Sequence, residues 1–188
     1  MNAIRAILVV GVLCLAGCST AAPGTAASPG GSSAPTPAAG FGGTDRAWIE
    51  INLAMEEQVL PLLELVPARS KSADVRALAL QIKAFTDAEL GTLRQLRDRG
   101  ALPSANAHKG MPMPGIVTTD EVAKAAKLSG PAFDKAALEQ IKAYLDQGQN
   151  LARSEGKSGL EPQTRELALQ ILRNREQALS TVRTIQDG

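Results

Sequence analysis

Four side chains hold the chemistry for a charged centre: Glu56, Glu89, Tyr144 and Arg175. Glu89 falls on the apolar seam of its segment, between Phe85 and Leu93, and Glu56 stands one place beyond the seam residue Met55. A carboxylate drawn toward a core needs a cation or strong donors, because desolvating it alone costs several kcal/mol. Arg175 suits that role, since a guanidinium forks onto carboxylates through two bonds and cannot lose its proton. The expectation is a metal-free polar centre in which Arg175 faces Glu89 or Glu56, with Tyr144 nearby. The competing reading leaves these groups on the solvated flanks of their helices. Two carboxylates can also act as acid and base in an enzyme or hold a small ligand. A di-iron remnant is disfavoured, because such sites use Glu-x-x-His pairs and none is present.

A second constellation is His108, Met111 and Met113, one imidazole and two thioethers within six residues. These ligands are soft enough for Cu(I), and Pro112, Pro114 and Gly110 hold the segment open. Methionines in such loops also serve as apolar plugs. No Gly-rich phosphate loop, nucleophile–histidine set or spaced Cys/His cluster occurs. No cofactor is expected, with copper at the linker as the alternative.

The third reactive position is Cys18. Arg5 and the apolar run Ala6 to Leu15 read as a secretory signal, too short for the roughly 20 residues a bilayer span needs. Leu15-Ala16-Gly17-Cys18 resembles a bacterial lipobox, which implies cleavage before Cys18 and a diacylglycerol on its sulfur. Residues 1–17 are then a lipoprotein signal peptide, and the expected location is the bacterial cell envelope, lipid-anchored and extracytoplasmic. Cys14 leaves with the signal, so the mature chain has no thiol pair for a disulfide. It also loses Arg5 alone among its 20 basic residues and none of its 19 acidic ones. The resulting formal neutrality argues against nucleic acid as a partner; the membrane partner is reached through the lipid. Residues 18–43 are the lipidated cysteine and an Ala/Ser/Pro/Gly tether with too little apolar surface to order itself. Its coil dimension is roughly 25–30 Å.

Residues 44–188 must position the candidate centre, and their apolar spacing is helical throughout. Trp48, Met55, Val59, Leu62 and Val66 share one face of a helix capped by Thr44 or Asp45, kinked at Pro61 and ended by Pro67. Ser72 or Asp74 opens a second helix, carrying Val75 to Leu96, that stops at Gly100. A short helix opens at Thr119 and presents Val122 and Leu128. A long helix follows Ser129-Gly130-Pro131, and a last one starts near Pro162. Val75-Arg76-Ala77-Leu78-Ala79-Leu80-Gln81-Ile82 returns as Thr164-Arg165-Glu166-Leu167-Ala168-Leu169-Gln170-Ile171, an offset of 89 residues that holds without gaps from Asp45/Asp134 to Leu96/Ile185. The fold class is therefore all-α: a four-helix bundle made of two repeated antiparallel hairpins, with the long connection from Gly100 to Thr119 crossing between them.

Several segments, taken in order, resemble the ferritin-like domain-of-unknown-function family 305. They are Glu64-Leu65-Val66-Pro67, the Val75–Ile82 run, His108-Lys109-Gly110-Met111-Pro112-Met113-Pro114-Gly115-Ile116-Val117, and Ser129-Gly130-Pro131-Ala132-Phe133-Asp134. The resemblance implies a ferritin-like bundle, export, and for some members copper binding. It also implies a His-His pair on the first helix of each hairpin, with Gln and Glu on the second. Here those pairs fall on Met55-Glu56 and Tyr144-Leu145, the Gln positions on Thr86 and Arg175, and the Glu positions on Glu89 and Ala178. Glu89 alone matches, and the one histidine of the chain, His108, lies in the linker. The expected function is a non-catalytic module that binds or scaffolds an envelope protein, having lost the family's metal site. The copper-binding linker and a ligand carrier or enzyme at the polar centre are the alternatives.

Overall fold

The computed structural model describes residues 40–187, so the signal peptide, Cys18 and most of the expected tether lie outside the described residues. Five helices follow: α1 (Gly43–Arg69), α2 (Ala73–Arg99), α3 (Thr119–Ala126), α4 (Gly130–Ser158) and α5 (Pro162–Asp187). No strand occurs among the described residues. α1 pairs with α2 and α4 with α5 as antiparallel hairpins across three-residue turns, Ser70–Ser72 and Gly159–Glu161. α1 then packs on α4 and α2 on α5, closing the bundle, while α3 rests on α1 and α4.

The start of α1 differs from expectation. Its N-cap is Gly42, and Asp45 stands one turn inside, where its carboxylate accepts the Gly42 N–H at 2.6 Å. Phe41, expected in the tether, packs against the core, and Gly43 is already helical. At the other end Pro67 does not stop the helix. A proline removes one backbone donor, and α1 runs on to Arg69 with Ser70 N–H bonded to the Val66 carbonyl at 2.9 Å. Ser72 caps α2, and α2 gives way to Gly100. In α3 the cap is Thr118, whose hydroxyl receives the Glu121 N–H while Glu121 receives the Thr118 N–H, a reciprocal capping box. Leu128, expected on the inner face, is 38% exposed, and Ala125 is the buried residue of α3. α3 ends at Ala126, so its helical spacing no longer directs Leu128.

The connection from Gly100 to Thr118 is fastened rather than slack. Leu102, Ile116 and Val117 are buried, and the Asn106 amide donates to the Glu50 carbonyl at 2.7 Å. Gly115 has φ +77° and lies so close to α4 that an added Cβ would meet the Cβ of Gln147 and the Ala143 carbonyl, so no other residue fits there.

The apolar interior falls into two clusters. One holds Trp48, Ile49, Leu53, Leu93, Leu96, Leu167 and Ile171; the other holds Met55, Leu62, Leu78, Ile82, Phe133, Ile141 and Val182. Between them every one of the four long helices contributes polar groups: Glu56 from α1, Thr86 and Glu89 from α2, Tyr144 from α4, and Asn174 and Arg175 from α5. A polar layer thus divides the core.

Candidate functional site

Arg175 organises this layer. It is the largest fully buried side chain, 1% exposed, and Glu56, Glu89 and Thr86 are each 0% exposed. Its Nη2 lies 2.8 Å from Glu89 Oε2, 2.7 Å from the Tyr144 hydroxyl and 3.3 Å from Glu56 Oε1. Nη2 carries two hydrogens, and the two short contacts take both. Tyr144, having accepted from Arg175, can pass its own proton to Thr86 Oγ1 at 3.2 Å. Asn174 Nδ2 donates to the other Glu89 oxygen at 2.8 Å. Glu89 is thereby held by two donors on adjacent residues of α5.

Glu56 is left with the longest contact, and its Oε2 has no partner. Burial first, and then the neighbouring Glu89 charge, push its carboxyl well above the usual range, against the pull of Arg175. Glu56 therefore keeps its proton, and the cluster is neutral as a whole: one guanidinium, one carboxylate, one carboxylic acid. Burial also opposes the charge on Arg175, yet Tyr144, Glu89 and Glu56 together hold its pKa above the ordinary value. Burial raises the Tyr144 phenol, with Arg175 opposing. The guanidinium carbon sits 4.7 Å from the Phe85 ring centroid and 4.8 Å from that of Tyr144, so two aromatic rings face the cation.

Room for this arginine comes from Gly148 on α4, where an added Cβ would lie 3.0 Å from Arg175 Nε. Neither Gly148 nor Asn174 is among the candidate residues of the sequence. The signals that point to them are a glycine in a helix interior, three residues after Leu145, and an amide directly before the arginine.

These donors do not suit the metal that the resemblance implies. Both carboxyl groups and the phenol converge on a guanidinium that cannot be deprotonated. A metal ion there would have to share its ligands with a fixed positive charge. The clefts that mark the surface, of about 190 to 460 Å³, are lined by other residues.

The linker residues are not brought into one environment. Met113 packs against the core and Met111 is 45% exposed. His108 stands beside α1 with Nε2 3.9 Å from Glu50 Oε2, and its Nδ1 has no partner. Its backbone N–H is fixed by Asn106 Oδ1 at 2.9 Å.

A family described as Domain of unknown function (DUF305) matches residues 45–186. Among solved structures, a DUF305 fragment from Deinococcus radiodurans superposes with a TM-score of 0.68 at 18% identity, over 78% of this chain and 97% of that one. A DUF305 protein from Streptomyces coelicolor, described as secreted, superposes with a TM-score of 0.66 at 21% identity, over 74% of this chain and 89% of that one. No curated protein matches the chain. The two structures share its fold, and the match across 45–186 assigns its family: the chain belongs to DUF305.

Proposed function

We propose that this protein is a lipid-anchored extracytoplasmic module that binds or scaffolds a protein partner in the bacterial envelope, with no catalytic or metal centre in its core. The observation that carries this reading is the Arg175 cluster. The interior positions best placed for chemistry are occupied by a neutral, sealed salt cluster whose cation is part of the chain. The outer surface is then the working part, and on it Leu80, Leu160 and Leu169 are 55%, 70% and 51% exposed. Export and anchoring rest on the signal-like N-terminus and the lipobox at Cys18; the Streptomyces relative is described as secreted. No helix among the described residues is long and apolar enough to cross a membrane.

Two measurements test this. The intact mass of protein from the membrane fraction is expected to show cleavage before Cys18 with an added diacylglycerol, and Cys18→Ser is expected to release the chain. Metal analysis of protein purified without a histidine tag is expected to find well under one metal per chain. A stoichiometric metal that persists in His108→Ala would overturn the reading, because it would have to lie in the core.

Copper at the linker is the second reading, favoured by His108, 26% exposed with an unpartnered Nδ1, and by the exposed Met111. Under it, Cu(I) titration in a competing chelator gives one site tighter than micromolar that is lost in His108→Ala. Weaker binding, or binding indifferent to that substitution, removes it.

A further inference from the structure

A second pair of carboxyl groups lies outside the central cluster, where the start of α1 meets the α4–α5 turn. Asp45 and Glu155 are each 0% exposed. Asp45 accepts three backbone N–H groups: Gly42 at 2.6 Å, Leu160 at 2.9 Å and Glu161 at 3.0 Å. Neither oxygen of Glu155 meets an N–H or O–H donor. Glu155 Oε1 lies against Gly159, the residue just before the Leu160 and Glu161 N–H groups that Asp45 accepts, so two buried carboxyl groups are gathered at one turn. Two carboxyl groups can share a hydrogen bond only if one of them keeps a proton. Asp45, with three donors, is the natural carboxylate, and Glu155 is the acid. Gly159 makes the space, since a Cβ there would overlap Glu155 Oε1.

We propose that Asp45 and Glu155 form a proton-locked clasp that fastens the beginning of α1 to the α4–α5 turn and opens when Glu155 loses its proton. The clasp sits where residues 1–39 join the domain, so it governs how firmly the root of the proposed anchor segment is held. It exists at one end only: the repeat partner of Glu155 is Val66, and that of Gly159 is Ser70.

The charged groups around Glu155 are Asp45 on α1, Glu161 in the turn and Arg165 on α5. Glu161 caps α5 through the Thr164 N–H and hydroxyl and also meets Arg99 at 3.4 Å. Burial, then the hydrogen bond with Asp45, then the Asp45 charge, push the Glu155 carboxyl from 4.5 up to about 8, with Arg165 pulling the other way. For Asp45 burial acts upward, but the Glu155 hydrogen bond and the three N–H donors prevail and lower it. Through Glu155 the native chain therefore holds one proton more than the unfolded chain between pH 4.5 and about 8. Stability contributed by the Glu155 proton is full below that window, falls as pH rises through it and levels off above.

The chain supplies its own reporter. Its one tryptophan, Trp48, lies three residues from Asp45, is 3% exposed and belongs to the apolar cluster at this end. Acrylamide quenching of Trp48 in the full chain is expected to rise severalfold between pH 6.5 and pH 9, with a midpoint near 8. In Glu155→Gln, whose amide donates to Asp45 and cannot ionise, quenching is expected to stay low across the range. Flat quenching in the native chain, or the same midpoint in Glu155→Gln, would overturn the clasp. Should that variant not fold, carboxyl carbon NMR of the native chain with the Glu155 signal assigned decides: Glu155 titrating near 8 supports the clasp, and Glu155 titrating below 6 refutes it.

Discussion

Arg175→Met is expected to lower the free energy of unfolding by about 3–5 kcal/mol at neutral pH, the usual cost of breaking a buried ion pair from one side. For a domain of this size that corresponds to ~10–15 °C in melting temperature. The reason lies in what remains. Glu89 and Glu56 are both 0% exposed, and no other cation touches them among the described residues. Without the guanidinium, Glu89 has no cation beside it, only the Asn174 amide and the Glu56 acid, and burial then favours its protonated form. The native state then binds more protons than the unfolded state, so the variant loses stability as pH rises. The deficit against the native chain is expected to be smallest near pH 5 and largest above pH 7. Removing the stranded charges tests the cause. Glu56→Gln and Glu89→Gln added to Arg175→Met should recover much of the loss, because no buried charge is then left unpaired. If Arg175→Met melts within ~2 °C of the native chain at both pH values, the cluster does not act as a buried ion pair.

The parts of this arrangement legible in the sequence are those that periodicity and duplication carry. Apolar spacing gave the helices and their inner faces, and the 89-residue offset gave two hairpins closing on one core. Caps followed where a side chain such as Ser72 has one obvious partner. The ends misjudged were those where backbone context decides. Pro67 was absorbed because a single missing donor does not break a long, well-packed helix, and Asp45 caps from one turn inside because Gly42 and Gly43 can extend the start. For the central cluster, the residue types and the seam position of Glu89 pointed to Arg175 as the counter-charge. Phe85, Thr86 and Asn174 join the cluster through the relative rotation of α2, α4 and α5, which no spacing within one helix specifies. The clasp was illegible for the same reason. Asp45 and Glu155 are 110 residues apart in the chain, and nothing local to Glu155 separates a buried acid from a solvated one.

Set against the duplication, the polar layer is asymmetric in its charges. Across the offset, Arg175 corresponds to Thr86, Asn174 to Phe85, Tyr144 to Met55, Glu56 to Leu145 and Glu89 to Ala178. Each charged member, Arg175, Glu56 and Glu89, has an uncharged repeat partner, Thr86, Leu145 and Ala178. A symmetric layer would bring two guanidinium groups or four carboxyl groups into one sealed space, and like charges at that depth repel strongly. One arginine with one ionised and one protonated glutamate is a composition that such a space can hold neutral.

That asymmetry makes Gly148 a sharp test, because its repeat partner is Val59. Gly148→Val restores the symmetry of sequence and is expected to cost about 3 kcal/mol, in the upper range for overpacked cores, or ~10 °C in melting temperature. Two effects compete. Replacing a mid-helix glycine gains up to about 1 kcal/mol in helix propensity. Against that, even a Cβ would stand 3.0 Å from Arg175 Nε and 3.5 Å from its Cγ and Cδ. Arg175 cannot retreat without releasing Glu89, Tyr144 and Glu56. Gly148→Ala should therefore come out near neutral, the two effects cancelling, while the added methyl groups of valine displace the guanidinium. The decisive comparison is the pair. With Arg175→Met in place the obstacle is a flexible thioether that can move aside, so Gly148→Val should cost little beyond Arg175→Met alone, and the two losses should be far from additive. Additive losses would mean that Gly148 serves helix packing in general, and that the space beside Arg175 is incidental.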